Sequence, residues 1–260
     1  MRVCVILPAA GSGTRFGGDK LSQDLGGRPV LLRTVELFTK RDEVAHIVVA
    51  APPDALDEFR MRFAAQLSFH GARVVEGGRR ERWETVKLAL AAVPDDCTHV
   101  AVHDAARPAA SPELLDRVFA AAQVHDAVIP GIPVTSTLKR VGEQLLAGAE
   151  DDALASAILG DVGKERSSAR AVLETVPRAG LVAVQTPQVF TTSLLRRAYA
   201  AGDPSGATDD AQLVERLGER VVVVDGEARN LKITTQDDLS LIRLVLGARE
   251  PDAKPAHKRF

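Results

Sequence analysis

Seven short apolar runs punctuate this chain, and they are continuous, not alternating: Val3–Leu7, Ile47–Ala51, Arg73–Val75, Val100–His103, Ala127–Pro130, Leu181–Val184 and Val221–Val224. A strand that is apolar at successive positions belongs where both of its faces are covered. Helical periodicity fills the gaps. Pro29–Arg41 carries Leu31, Leu32, Val35, Leu37 and Phe38, and Arg82–Val93 carries Val86, Leu88, Leu90 and Val93. Ser111-Pro112-Glu113 opens another helix, with serine at the N-cap and proline in the first turn. Thr191–Ala201, Thr208–Leu217 and Thr235–Leu246 complete the set. Strands alternating with helices predict βαβ units with right-handed crossovers. The expected fold is α/β, a Rossmann-like, mostly parallel sheet with helices on both faces.

Two stretches break the rhythm. Residues 142–170 are polar and small, which predicts an insertion within an arm protruding over about 135–178. The end, "GAREPDAKPAHKRF", is charged and holds two prolines, so 247–260 reads as a flexible tail on a single domain spanning 1–246. Hydrophobic residues at 45% can fill a sizeable core, and a net charge of −2 argues against a general nucleic-acid surface. No stretch approaches a membrane span or a signal-peptide core. Cys4 and Cys97 are the only cysteines and offer neither a disulfide framework nor metal-ligand spacing. These features predict a cytoplasmic protein with no membrane and no nucleic-acid partner.

The stretch after the first run, "PAAGSGTRFGGDK", concentrates the chemistry. Ligands bind an open parallel sheet outside the carboxyl ends of its strands. Glycines there let backbone N–H groups approach an anion. Two familiar phosphate loops fail on spacing: Gly11-Ser12-Gly13-Thr14-Arg15 is followed by Phe16 where a dinucleotide loop needs glycine, and Gly18 is followed by Asp19 where a P-loop needs lysine. What remains is a glycine turn with two cations, Arg15 and Lys20, suited to a triphosphate whose charge shifts during reaction.

With "LGGRPVLLRTVELF" downstream, and then "VHDAARP", "PVTSTLKRV", "VQTPQVF", "TDDAQLVERLG" and "NLKITTQDDL" in order, the chain resembles the 2-C-methyl-D-erythritol 4-phosphate cytidylyltransferases of the non-mevalonate isoprenoid pathway. The resemblance runs from about Val3 to Leu246. It implies that the substrate phosphate attacks the α-phosphorus of CTP and expels pyrophosphate, a step served by positioning and electrostatics with no protein nucleophile. It implies Mg²⁺ as cofactor, CTP and a polyol phosphate as small-molecule partners, and a homodimer through exchanged arms.

Residue by residue, Arg15 and Lys20 match the catalytic cations of the loop, although Asp19 and Leu21 stand where the family carries proline and glutamine. Ala9, Ala10, Gly11 and Gly13 would meet the nucleotide. Gly78, Arg79 and the hydroxyl of Thr85 would read cytosine, with one residue more between glycine and hydroxyl than the family has. Asp104 would hold the metal and, with Ala105, CTP. Asp104, Arg107, Thr137, Arg178, Thr186 and Lys232 would bind the polyol phosphate, with Arg178 and Lys232 also catalytic and Thr137 reaching a neighbouring subunit. His103 reads as structural, and at least one of Arg79, Arg80 and Arg82 as a solvated helix start.

Three alternatives stand beside this reading. A cytidylyltransferase for another alditol phosphate, such as ribitol 5-phosphate, would share the nucleotide half. An NAD-dependent oxidoreductase lacks its third glycine here. A non-catalytic nucleotide-binding regulator would have little use for Arg15, Lys20, Asp104, Arg178 and Lys232 together.

Overall fold

The computed structural model describes residues 1–11, 13–145 and 169–248. The chain forms two units, Met1–Ile132 with Val184–Phe260, and Pro133–Ala183. Most of the expected insertion and all but the first two residues of the expected tail lie outside the described residues.

The first unit alternates as anticipated. Its elements, in chain order, are β1 (Val3–Pro8), α1 (Val30–Glu36), β2 (Val44–Ala51), α2 (Leu56–Phe69), β3 (Ala72–Glu76), α3 (Arg82–Leu90), β4 (His99–Val102), α4 (Pro112–Ala122) and β5 (Ala127–Pro133), whose last residue enters the second unit. Two arm strands follow, β6 (Leu138–Leu145) and β7 (Arg170–Val176), then β8 (Val182–Val184) at the unit boundary. The chain finishes with β9 (Gln188–Thr191), α5 (Thr192–Ala200), α6 (Asp210–Arg216), β10 (Val222–Asp225) and α7 (Gln236–Leu246).

The sheet runs β10-β5-β9-β4-β1-β2-β3. β1 pairs in parallel with β2 and β4, β2 with β3, and β5 with β10. β9 is antiparallel to both β4 and β5. The sequence predicts no strand at Gln188–Thr191 because "QVF" is too short to show a period. Tertiary burial decides it: Val189 and Phe190 are fully buried. α2 is a further helix absent from the expected set; its Phe59, Phe63 and Leu67 recur at helical spacing and are buried.

Alternation along β1 explains why both faces are covered. Val3, Val5 and Leu7 join one core layer with residues of α1, α2, α4 and α7. Cys4 and Ile6 join the other, with residues of α3, α5 and α6. Each fully buried aliphatic side chain contributes about 1.5–3 kcal/mol relative to exposure. The carboxyl ends of β1 to β4 are therefore anchored from both sides. Local caps set the helices that follow: Ser111 Oγ accepts from Leu114 N at 3.0 Å, and Thr235 and Asp238 form a capping box on α7.

The second unit is a two-stranded antiparallel ribbon. Leu138 faces Val176, Lys139 faces Thr175 and Arg140 faces Glu174, with register shifts beyond Arg140. Arg140 Nε lies 2.6 Å from Glu174 Oε1, and Lys139 Nζ donates to Thr175 Oγ1 at 2.6 Å. Val141, Val172 and Leu173 are exposed on it.

Candidate active site

The carboxyl ends of β1 to β4 open into a cleft of about 650 Å³ in the first unit. Its lining includes Ala9, Ala10, Gly11, Gly13, Arg15 and Lys20 from the first loop, Gly78, Arg79 and Thr85 beside β3, Asp104 and Ala105 after β4, and Lys232 from the irregular segment before α7.

Geometry forces glycine at several positions, Gly13 and Gly77 among them. Gly13 has φ +63°, and a Cβ there would lie 2.5 Å from the Gly18 carbonyl oxygen. A Cβ at Gly77 would lie 2.8 Å from Ala10 Cβ and 3.0 Å from the Ala51 oxygen, so the end of β3 and the loop after β1 approach too closely for any side chain. The Thr85 hydroxyl is buried and accepts from Gly78 N at 3.1 Å, so it holds the glycine turn to the start of α3. Arg79 is exposed and pairs with Asp54.

Asp19 faces away from its neighbour. Its carboxylate accepts from Leu21 N at 3.1 Å and Ser22 N at 3.2 Å, and pairs with Arg62 of α2 at 2.5 Å. Lys20 Nζ donates to the Ile233 carbonyl at 3.2 Å. Burial lowers the pKa of this lysine, and the nearby Lys232 and Arg15 act in the same direction against Asp104. The loop's ammonium thus sits in a site already crowded with cations.

Asp104 is the carboxylate they surround. Only 7% of the residue is exposed. Its Oδ2 lies 3.1 Å from Lys232 Nζ and 3.0 Å from Arg107 Nε, while Oδ1 lies 3.6 Å from Arg82 Nε. Burial alone would raise its pKa. Lys232, Arg82 and Arg107 overcome that and hold the carboxyl well below the usual range. Arg107 both pairs with Asp104 and braces the loop, donating from Nη1 to the Asn230 carbonyl at 2.7 Å.

A hydrogen-bond chain fixes this aspartate from behind. His103 is fully buried, edge-on to Phe38 at 5.2 Å, and burial pushes its pKa down to about 4. Its Nε2 lies 3.0 Å from the Arg107 carbonyl, which can only accept, so Nε2 carries the proton. Nδ1 therefore accepts from the Thr186 hydroxyl at 3.1 Å, and that oxygen accepts the Asp104 N–H at 3.0 Å. His103 is structural, as read, and its work is to orient Thr186 and through it Asp104. Asn230, fully buried, donates from Nδ2 to the Thr186 carbonyl at 2.8 Å and so fixes the segment that carries Lys232.

Among the predicted residues, the structure brings Arg15, Lys20, Gly78, Thr85, Asp104 and Lys232 to one cleft, with Arg107 and Thr186 packed against Asp104. Thr137 and Arg178 belong to the second unit, where the Arg178 guanidinium donates to the Thr135 carbonyl. Of Arg79, Arg80 and Arg82 around the start of α3, Arg82 is the part-buried one, paired at 2.8 Å with the fully buried Asp210. The motif "TDDA" was legible, yet nothing in it tells which aspartate is buried or what it meets. The cysteines gave no metal spacing in sequence, but the fold gathers Cys97 with His46 and Asp96 at the amino end of the sheet, their ligand atoms within 4.8 Å of one another. There Asp96 Oδ2 already lies 2.6 Å from Arg2. Among the described residues, no helix is long and apolar enough to cross a membrane.

The family profile described as 2-C-methyl-D-erythritol 4-phosphate cytidylyltransferase matches residues 3–158 and 149–248. A protein of that description from Frankia casuarinae is 42% identical over 98% of this chain and 86% of its own length. Another, from Rhodococcus jostii, is 41% identical over 94% of this chain and 95% of its own. Among solved structures, the 2-C-methyl-D-erythritol 4-phosphate cytidylyltransferase of Thermus thermophilus is similar with a TM-score of 0.67 and 35% identity, covering 94% of this chain and 98% of that one.

Proposed function

The chain belongs to the 2-C-methyl-D-erythritol 4-phosphate cytidylyltransferase family, and from that membership we propose how its own residues carry the reaction. The enzyme transfers the cytidylyl group of CTP to 2-C-methyl-D-erythritol 4-phosphate, giving 4-diphosphocytidyl-2-C-methyl-D-erythritol and pyrophosphate for isoprenoid precursor synthesis. A phosphate oxygen of the polyol substrate forms a bond to the α-phosphorus of CTP. The bond between that phosphorus and the bridging oxygen breaks, and its electron pair leaves with pyrophosphate. No net proton transfer to the protein is required.

The observation that carries the residue assignment is Asp104, a buried carboxylate set among Arg82, Arg107 and Lys232 in the same cleft as Lys20 and the glycine loop. Arg15 and Lys20 neutralise charge as it moves to the leaving group. Lys232 holds the incoming phosphate near a second polyanion, against their mutual repulsion. Ala9, Ala10, Gly11, Gly13 and Ala105 give the nucleotide small side chains and backbone contacts. The Gly78–Arg79 backbone, with Thr85 fixing its turn, meets the cytosine.

Mg²⁺ fits this donor set. Oδ1 of Asp104 accepts no hydrogen bond from any described residue. Mg²⁺ prefers one or two carboxylates completed by phosphate oxygens and water. Asp104 would hold it, and the ion would supply further charge neutralisation on the triphosphate.

We assign Thr137 and Arg178 to the polyol phosphate from a second subunit's arm, which makes the enzyme a homodimer. The exposed apolar residues Val141, Val172 and Leu173 support a ribbon that is covered in solution, because a lone two-stranded ribbon is marginally stable. A cytoplasmic location belongs to the same proposal, since two free thiols persist in a reducing compartment. The test is a panel of nucleoside triphosphates crossed with polyol phosphates, reading pyrophosphate. CTP with 2-C-methyl-D-erythritol 4-phosphate should lead. Faster turnover with ribitol 5-phosphate would overturn the substrate.

A further inference from the structure

Arg82 and Asp210 are given no role of their own above, yet they form an ion pair beside the cleft whose carboxylate is fully buried. Asp210 is fully buried at the start of α6, and its Oδ2 lies 2.8 Å from Arg82 Nη1. Its Oδ1 accepts from the Tyr199 hydroxyl of α5 at 2.6 Å. The preceding Asp209 caps α6 through Gln212 N at 3.0 Å and accepts from Gln188 Nε2 at 2.7 Å. Gln188 in turn accepts from Ala211 N at 3.1 Å. Tyr199 of α5 thus fixes the carboxylate of Asp210 directly, while Gln188 of β9 holds the residues on either side of it, Asp209 and Ala211. Removing one partner of such a pair leaves a buried charge without compensation.

The other side of the same guanidinium faces Asp104. Arg82 Nε stands 3.6 Å from Asp104 Oδ1, within ion-pair range but beyond a hydrogen bond. An arginine free to choose would close a bidentate fork on a buried carboxylate. Asp104 Oδ2 is already shared by Arg107 and Lys232. A fork from Arg82 would therefore occupy its remaining oxygen too.

We propose that Asp210 is a tether that holds the Arg82 guanidinium back from Asp104, so that Oδ1 stays open to the divalent cation bound with the nucleotide. Arg82 then lends positive charge to the cleft without covering the oxygen that must coordinate. Both are positioning residues, and the proposal rests on the reading that Asp104 is the metal-holding carboxylate.

The test measures Mn²⁺ binding by water-proton relaxation in the full-length enzyme with a non-cleavable α,β-methylene analogue of CTP. Asp210→Asn should weaken Mn²⁺ binding by about tenfold or more, the scale on which contacting charged groups couple. The same substitution also removes one negative charge, so its effect must be read in a second background. Once Arg82→Gln has removed the fork, Asp210→Asn should change Mn²⁺ binding by less than about threefold, because nothing remains to swing. An undiminished loss in that background means plain electrostatics and overturns the tether. So does Mn²⁺ binding by Asp210→Asn that equals the wild type. If Asp210→Asn does not fold by circular dichroism, Tyr199→Phe removes one anchor while keeping the charge. It should weaken Mn²⁺ binding in the wild-type background and not with Arg82→Gln, and no change in either contradicts the proposal. Asp104→Asn separates the two levels: lost Mn²⁺ binding upholds Asp104 as the ligand, whereas retained binding removes that reading and the tether with it.

Discussion

Asp19 pairs with Arg62 of α2 at 2.5 Å, across the outer side of the nucleotide loop. An acidic residue next to Lys20, the lysine proposed to act in catalysis, would offset its charge if the two side chains met. Here the carboxylate instead caps the following turn and ties the loop to a helix. Both partners are almost half exposed, and exposed pairs contribute about 0.2–1 kcal/mol. Arg62→Ala should raise the KM for CTP by no more than about fivefold with kcat nearly unchanged. A large fall in kcat would mean that the pair controls the Lys20 ammonium itself.

Lys20→Ala and Arg15→Ala should each lose about a hundredfold or more in kcat, the usual consequence of removing one preorganised contact to developing charge. Trp83 is the only tryptophan and follows Arg82 of the cleft lining in the first turn of α3, and its fluorescence serves as the readout for CTP affinity. That affinity should change far less than kcat. Near-normal turnover with weakened CTP binding would make the loop a ground-state clamp.

His103 predicts an acid limb of stability. Burial holds its folded pKa at about 4, below the ordinary 6.5, so the unfolded chain binds the extra proton first. Stability from this residue is present above pH 6.5 and is lost as pH falls toward 4, by up to about 3 kcal/mol. Urea midpoints at pH 7 and pH 5 should differ more for the wild type than for His103→Gln. Equal pH slopes in the two proteins would exclude the histidine as the cause.

Gly77→Ala tests close approach. Its Cβ would meet Ala10 of the cleft lining and the Ala51 carbonyl at the end of β2 behind it. The expected outcome is a folded protein with CTP affinity, read by Trp83 fluorescence, weakened by about tenfold or more, since a misplaced wall costs on that scale. Unaltered affinity would show that the wall yields freely.

Much of the architecture is legible in the chain because burial on both faces writes continuous apolar runs. Val3–Leu7 and Ile47–Ala51 fall within β1 and β2. β9 is not legible, since four residues between an X-Pro bond and a helix carry too little pattern. In the site, Arg15, Lys20 and Asp104 stand out because glycines and strand ends surround them. Arg82 and Asp210 do not, because a charged residue at a helix start reads as solvated until its partner is known to be buried. Asn230 and Thr186 are similar: their roles come from hydrogen bonds between segments distant in sequence.

The central claim is that this cleft joins the two substrates, and ³¹P NMR of a single mixture tests it most directly. With CTP, 2-C-methyl-D-erythritol 4-phosphate and Mg²⁺ present, a diphosphodiester and inorganic pyrophosphate should appear in equal amounts, and Asp104→Asn should suppress both. Neither should form when the polyol phosphate is omitted. Pyrophosphate appearing with CMP in its absence, or no diphosphodiester in the complete mixture, would contradict the account.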